Sequence, residues 1–319
     1  FVANTPSKIN WLILRGFLDD QGKTDTARNA FKGGLRVYPY ALRANPPANN
    51  FKNLTDWETN TIHANNFKFY EELDEVIQRE PSDLFSPELL GMASSIGIEK
   101  GKPFNPSPEQ KALLTEAVAI GNATARSILF GPKDPKNYIY PGKAGYWQTG
   151  FPGGSHEYLV NKGNGGRDMD GRTLFFYLAT VNTPAMALEI PGVGSQYAFS
   201  SRDGSGAYLN GSNTYKLNIP ANPPAQKFWS FVVYDPQTRS MLQTGEMPYP
   251  SKNNKRNADM VKNADGSIDL YFGPQAPAGM EANWVKTVPG KGWFGIFRLY
   301  GPGQQWFDRT WKLGNIEKV

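Results

Sequence analysis

Short apolar runs separated by turn-forming residues fill the second half of the chain and leave little room there for long helices. Asn210-Gly211 and Asp265-Gly266 favour tight turns, because positive φ carries little steric cost at such pairs. The 33 glycines and 25 prolines supply turn residues for many short strands. This spacing predicts about seven strands in a sandwich or jelly roll. The runs are 196–201, 208–209, 214–219, 227–234, 240–245, 267–272, 283–287 and 293–300.

The first 130 residues carry helical signals instead. Apolar residues recur at spacings of three and four up to Arg79, which predicts a helix started by Asn65 or Asn66. Ser86-Pro87-Glu88 predicts a second helix, with proline at its first position and Gly97 as its end.

A third helix is predicted from Ser107-Pro108-Glu109-Gln110, where Ser107 and Gln110 can form a reciprocal capping box. The residues expected to face inward are Leu113, Ala117, Ile120 and Ile128. Residues 170–181 fit either a buried strand or a helix, and we favour the helix because Asp170 can cap it. Residues 304–311 are expected to form a short closing helix.

The composition argues against three classes of function. The net charge is only +5, and the cluster of Lys252, Lys255 and Arg256 is too small for the many phosphate contacts of a nucleic-acid interface. The chain has no cysteine, which excludes disulfides and thiolate chemistry. No apolar run approaches the roughly 18 residues of a membrane span. We therefore expect no nucleic-acid partner and no membrane span.

Few residues are available for metal binding or catalysis. His63 and His156 are the only histidines and cannot build a zinc site without carboxylates, and the common hydrolase and nucleotide-binding motifs are absent. We expect no cofactor and no transition metal. The catalytic candidates are His156 and Glu157 in a glycine-rich loop and Asp170 at the start of the predicted helix. The alternative is that these side chains are simply solvated, and that His63 is a surface or capping residue.

Arginines in apolar surroundings are the most informative polar residues. Such an arginine is either half of an ion pair or the anchor of an anionic ligand. The three arginines are Arg172, Arg239 and Arg298, and the nearby acids are Asp170, Asp235 and Glu281. Aromatic residues could wall the same pocket or belong to the core. The candidates are Tyr177, Tyr197, Tyr234, Trp284 and Tyr300.

Several motifs in the second half of the chain stand in a recognisable order. They are FWSFVVYDPQTRSML at 228–242, ADGSIDLYFGPQAPAG at 264–279, NWVKT at 283–287, PGKGWF at 289–294 and RLYGP at 298–302. Together they resemble the domain of unknown function numbered 1214. Residues 96–114 resemble the segment that joins this domain to its N-terminal partner, numbered 1254. The opening stretch looks like the tail of that partner, through Asn4-Thr5, Trp11, Arg15 and Tyr38-Pro39.

The resemblance implies a mainly bacterial, often exported family with a β-rich two-domain body and no settled activity. It supplies no catalytic residues. It also implies that most of the N-terminal domain lies outside this sequence, so we expect a larger precursor or a companion fragment. Periplasmic or secreted localisation and a homo-oligomer are further expectations.

The sequence as a whole predicts an α+β fold, with a helical linker region followed by an antiparallel β-sandwich or jelly-roll domain. We expect the boundary between residues 1–134 and 135–319. Two functions remain open. One is an exported protein that binds or transforms a small polar or anionic ligand in an Arg/Tyr-lined pocket. The other is a non-catalytic assembly module that uses aromatic-rich sheet surfaces.

Overall fold

The computed structural model describes residues 2–14, 16, 19, 21–54, 57, 62–179 and 181–319. Arg15, which takes part in the family resemblance, lies outside these residues. The chain divides into two compact units. The first contains Phe1–Asn60 and Ala64–Val118, and the second contains Thr61–His63 and Ala119–Val319. The expected domain boundary at residues 134 and 135 stays a prediction.

Helices account for most of the regular structure before residue 190. They are α1 Asp25–Gly34, α2 Lys68–Arg79, α3 Pro87–Ser94, α4 Pro108–Phe130, α5 Met169–Ala179 and α6 Pro184–Ala187, with α7 Gln304–Phe307 near the end of the chain. The helix expected over 170–181 is therefore confirmed as α5. The closing helix is real but ends at Phe307 rather than at residue 311. Among the described residues, no helix is both long and apolar enough to cross a membrane.

The first unit has its own small core, built by α2, α3 and the start of α4. Tyr70, Ile77 and Ile98 are buried in it, together with Leu114 and Val118 of α4. Ser86 caps α3 by accepting a hydrogen bond from the Leu89 amide at 3.3 Å, as expected for a serine before Pro87.

The predicted capping box of α4 forms only in part. Ser107 Oγ accepts from the Gln110 amide at 3.2 Å, but the Gln110 side chain donates to the Ile96 carbonyl at 2.8 Å. The predicted inward face of α4 is wrong by one residue at Leu113, which is 62% exposed beside the buried Leu114. Ile120 is likewise exposed. Both sets of positions satisfy the helical period, so spacing alone could not choose between them.

Eight strands form two four-stranded sheets in the second unit. They are β1 Ser195–Ser200, β2 Tyr215–Ile219, β3 Ala225–Tyr234, β4 Ser251–Asn253, β5 Ile268–Gly273, β6 Trp284–Lys286, β7 Phe294–Pro302 and β8 Ile316–Lys318. The first sheet has the order β1-β7-β3-β4 and the second β6-β5-β2-β8. This is the expected α+β fold with a sandwich-like arrangement.

One pairing departs from the antiparallel expectation. β5 and β6 are parallel, with Tyr271 opposite Trp284. The connection between them runs over residues 274–283 and ends in a 3-10 turn at Glu281–Asn283. Asn283 fixes its end by donating to the Asp269 carbonyl at 2.8 Å. The runs 208–209 and 240–245 form only isolated bridges rather than strands.

The main core lies between the two sheets, because alternate residues of each strand point inward. Trp229, Phe231 and Val233 of β3 share this face, as predicted, and Phe231 meets Phe272 of the second sheet at a ring distance of 4.9 Å. The opposite face of the first sheet packs against helices through a second cluster. Its buried members are Leu129, Phe130, Leu174, Tyr177, Phe199, Phe294 and Ile296. Polar residues on this helix-side face of the first sheet therefore lie near the packed helices α4 and α5.

Candidate ligand-binding site

Arg298 lies on the helix-side face of the first sheet, at the centre of a row of residues. The strand register places Tyr197 of β1 opposite Arg298 of β7, and Ser230 of β3 on its other side. Residues paired in this way carry their side chains on the same face of a sheet. The sheet thus fixes a guanidinium group between a phenol and a hydroxyl.

The Arg298 guanidinium is half-buried and has no carboxylate partner in the part of the chain that the structure describes. One terminal nitrogen donates to the Tyr234 hydroxyl, and Cζ lies 5.6 Å from the Tyr234 ring centroid and 5.9 Å from that of Tyr197. Nε is buried and has no hydrogen-bond partner among the described residues. None of the ion pairs formed by the described residues includes Arg298. A buried guanidinium nitrogen without an acceptor is unusual and marks a place where an anion would be favoured.

Tyr300, two residues after Arg298 on β7, completes what we call the Arg298 site, which comprises Tyr197, Ser230, Tyr234, Arg298 and Tyr300. Burial raises the pKa of Tyr234, although the charge and hydrogen bond of Arg298 act in the opposite direction. Tyr234 therefore stays a neutral phenol whose proton is available for donation. Tyr300 stacks on Phe228 with ring centroids 4.0 Å apart, which holds its ring in place.

Arg239 forms a separate cluster whose hydrogen-bonding capacity is used by the protein. Its Nε donates to the Tyr177 carbonyl at 3.0 Å, a terminal nitrogen donates to the Gln237 carbonyl, and Cζ lies 4.1 Å from the Tyr177 ring centroid. The other terminal nitrogen is 3.5 Å from His63 Nδ1. Groups of the protein itself therefore satisfy the half-buried Arg239 guanidinium, and no bound anion is needed to explain its position.

The expected ion pairs between these arginines and acids are not formed among the described residues. Asp235 instead pairs with Lys291 at 2.9 Å and accepts from the Gln237 amide at 2.7 Å, as a turn residue would. Asp170 is exposed, and Glu281 accepts from the Gly279 amide. Arg172, Arg239 and Arg298 are all half-buried, as predicted. None of them forms an ion pair with a described acid, although the charge of Asp235 acts on Arg239 from a longer distance.

His63 was expected to be a surface or capping residue, but the structure shows it packed against two aromatic rings. Its ring lies 5.0 Å from that of Phe176 and 5.4 Å from that of Tyr177. Burial lowers the pKa of His63 below its ordinary value of 6.5, and the positive charge of Arg239 lowers it further. His63 is therefore a neutral packing partner of Arg239 at neutral pH.

The lowered pKa of His63 makes folding weaker in mild acid. The unfolded chain takes up the proton at a higher pH than the folded chain, so this stability is present above pH 6.5 and is lost as the pH falls below it. We expect the urea midpoint of the parent to fall more than that of His63→Gln between about pH 7 and pH 5. Equal changes in both proteins would contradict this assignment.

Two of the predicted ligand-binding residues stand apart from these clusters. Trp284 lies on β6 in the other sheet, where its indole donates to the Gly273 carbonyl at 2.9 Å. Arg172 lies on α5, and its guanidinium has no hydrogen-bond or ion-pair partner among the described residues. The structure thus brings together Tyr234, Arg298 and Tyr300, joins Tyr177 to Arg239, and leaves Arg172 and Trp284 outside both groups.

The catalytic candidates do not assemble into a recognisable active site. The carbonyl of His156 accepts from Asn182 at 2.8 Å and the carbonyl of Glu157 accepts from Arg167, so both contacts use the backbone. Across the part of the chain that the structure describes, no group of three or more His, Asp or Glu residues is placed to hold a metal ion. The roles expected for His156, Glu157 and Asp170 stay predictions.

Residues 194–304 match the model of a family described as Protein of unknown function (DUF1214). The DUF1214 match begins just before β1 and ends at the first residue of α7, so it contains the whole Arg298 site. The resemblance to the domain numbered 1214 is thereby supported, while the partner numbered 1254 stays a prediction. Comparison with curated proteins gives no match.

Two solved structures are similar to this chain. The VPA0106 protein from Vibrio parahaemolyticus has 20% sequence identity and a TM-score of 0.44, and the alignment covers 94% of this chain and 66% of that protein. An uncharacterised protein from Burkholderia cenocepacia has 17% identity and a TM-score of 0.32, with 73% and 48% covered. This chain therefore spans less than two thirds of the length of either protein.

Sequence reasoning missed Ser230 as a site residue and left Tyr197 among possible core aromatics. Both stand beside Arg298 only because β1, β7 and β3 pair in one particular register. A mid-strand arginine flanked by apolar residues was the available signal. Its neighbours on other strands depend on long-range pairing that no local pattern encodes.

Proposed function

We propose that this protein binds a small organic anion at the Arg298 site. The observation that carries the proposal is the half-buried guanidinium of Arg298, whose Nε has no acceptor and which has no carboxylate partner among the described residues. Arginine keeps its charge when it is buried, so it needs an anion or other acceptors nearby. A ligand anion would supply both the charge and the missing acceptor.

A carboxylate is the ligand group that fits these donors best. The guanidinium presents Nε and a terminal nitrogen in a planar fork that matches two carboxylate oxygens. Ser230 stands beside Arg298 on β3, and the Tyr234 hydroxyl already accepts from Arg298, which leaves its proton free to donate. The tyrosine rings add apolar walls for a small organic body.

Replacing Arg298 by methionine is expected to weaken anion binding strongly and to leave stability nearly unchanged. Loss of charge-assisted hydrogen bonds of about 1.5–3 kcal/mol corresponds to roughly 10- to 150-fold weaker binding. No buried protein carboxylate is stranded by the change among the described residues. Isothermal titration with acetate, succinate and inorganic phosphate, together with thermal melts, measures both effects.

Arg239→Met is the matched control, because its guanidinium is bonded to protein carbonyls instead. We expect this variant to melt at a lower temperature than the parent and to bind the same anion as the parent does. The proposal is wrong if Arg298→Met binds the anion as tightly as the parent. It is also wrong if the parent binds none of the three anions.

The alternative of an assembly module with aromatic-rich sheet surfaces receives less support. No aromatic residue within the eight strands is exposed, and most of them are buried in the two clusters of the second unit. Most sheet aromatics therefore serve the interior or the Arg298 site. The half-buried Tyr271 and Trp284 of the second sheet belong to neither group.

Export to the periplasm or the medium, a homo-oligomer and an N-terminal partner domain belong to the same proposal, on the strength of the resemblance to the two-part family. An exported binding protein would meet small carboxylates outside the cytoplasm. Fractionation of the native host tests export. Size-exclusion chromatography of the native protein tests the homo-oligomer, and its intact mass tests the N-terminal partner domain.

A further inference from the structure

A separate cavity of about 430 Å³ lies beside the last turns of α4 in the second unit. Its size falls in the range of small-molecule sites. Its walls include Arg126 and Phe130 of α4 together with Ser201, Tyr208, Leu209 and Trp293. None of the residues of the Arg298 site lines it. We call it the Trp293 cavity.

A short irregular ladder builds one wall of the Trp293 cavity. Its two antiparallel bridges are Arg202 with Tyr208 and Asn210 with Gly292. The Leu209 amide donates to the Ser201 carbonyl at 2.9 Å, and the Trp293 amide donates to the Leu209 carbonyl at 3.3 Å. This register sets Ser201, Leu209 and Trp293 side by side in three neighbouring segments.

Two polar atoms of this wall have no hydrogen-bond partner among the described residues. They are Ser201 Oγ and Trp293 Nε1. Ser201 is 4% exposed and Trp293 is 1% exposed, so bulk water does not replace the missing bonds. Indole donates only, and a hydroxyl can donate as well, so one oxygen acceptor could satisfy both residues.

The remaining walls set the chemistry of the occupant. Phe130 and Leu209 are apolar and buried. The Trp293 ring packs on its other side against Tyr215 and Phe272, at ring distances of 5.7 and 5.0 Å. The cationic group on the wall is Arg126, which donates to the Gln237 side chain and forms no ion pair with a described acid. Nearby, Arg202 lies 3.9 Å from the Tyr208 ring centroid and donates to its hydroxyl at 2.7 Å, also without an acidic partner among the described residues.

We infer that the Trp293 cavity binds a small molecule with an apolar, ring-sized body and a carboxylate head. The carboxylate accepts from the donors of Ser201 and Trp293 and is favoured by the positive charges of Arg126 and Arg202. The body lies against Phe130 and Leu209, next to Tyr208 and Pro236. This is a second site, distinct in its residues and in its preference for an apolar body from the Arg298 site.

The test is a titration of the full chain with benzoate, followed through the indole N–H signals of ¹⁵N-labelled tryptophan. The chain has eight tryptophans, and Trp293→Phe identifies the signal of Trp293. We expect this signal to shift and saturate with benzoate. The signals of Trp147 and Trp284 should stay in place, because their indoles donate to the Gly314 and Gly273 carbonyls, each at 2.9 Å.

Matched ligands and variants separate the contributions. Acetate lacks the apolar body and benzamide lacks the charge, so both should bind more weakly than benzoate. Ser201→Ala should weaken benzoate binding about 5-fold, the size of one neutral hydrogen bond. Arg298→Met should leave the Trp293 shift unchanged, which keeps this test independent of the Arg298 site. A Trp293 signal that benzoate does not move, or that moves only when Arg298 is present, would overturn the inference.

Discussion

Phe231→Ala is expected to lower the free energy of unfolding by about 3–5 kcal/mol. Phe231 is fully buried where the two sheets meet, with its ring 4.9 Å from that of Phe272 and 6.4 Å from that of Trp147. Its removal leaves a cavity that both sheets line, and neither sheet can move inward without disturbing its hydrogen bonds. Urea denaturation measured by tryptophan fluorescence and by far-UV circular dichroism gives the free-energy difference.

Gly295 makes the position of Phe231 possible and supplies the stricter test. A Cβ at Gly295 would lie closer than 3.0 Å to the Phe231 ring. Gly295→Ala should therefore destabilise the parent by about 1–3 kcal/mol through overpacking. In a Phe231→Ala background the new methyl group has room, so the second change should cost much less. The two changes would then be coupled in a double-mutant cycle. Strictly additive effects would show that the ring and the glycine do not share this space.

The parts of the fold that the sequence predicts are those set by local periodicity and large apolar residues. The inward face of β3 follows from alternate Trp229, Phe231 and Val233, and five of the longer strands lie within a few residues of their predicted bounds. β4 and β8 are three residues each, too short for a period to show. The order of strands in each sheet comes from long-range pairing.

The residues of the Arg298 site also differ in how far the sequence predicts them. Arg298 is conspicuous in the sequence because it interrupts an apolar strand, and its half-buried position follows from that. Its neighbours follow from register, which is why Ser230 carried no signal of its own and Tyr197 was only one of five candidate aromatics. Trp284 was grouped with Arg298 by chemistry alone, and the sheet order places the two residues in different sheets.

No pattern in the sequence indicates the Trp293 cavity. Ser201 and Trp293 are 92 positions apart by their residue numbers and meet through Leu209, in a ladder too irregular to count as a strand. Their significance comes from two missing hydrogen bonds, and a missing contact is visible only in three dimensions.

The structure requires glycine at position 211, as the sequence predicts, but for a different physical reason. Asn210-Gly211 was expected to be a turn that needs positive φ, but Gly211 is not among the glycines with positive φ. Its Cα instead approaches the backbone of Val288, and a Cβ would lie closer than 3.0 Å to the Val288 carbonyl oxygen. Thr287 Oγ1 also donates to the Gly211 carbonyl at 2.9 Å, which holds the two segments together.

Gly211→Ala is therefore expected to destabilise the protein by about 3 kcal/mol, because a backbone carbonyl cannot move aside as a side chain can. Gly279→Ala is the matched comparison. Gly279 has φ of +76° and nothing within 4 Å of a Cβ, so its substitution should cost only about 1 kcal/mol of backbone strain. Urea midpoints of the two variants decide between the explanations. If Gly279→Ala proves the more damaging, backbone conformation rather than close approach governs the glycines of these loops.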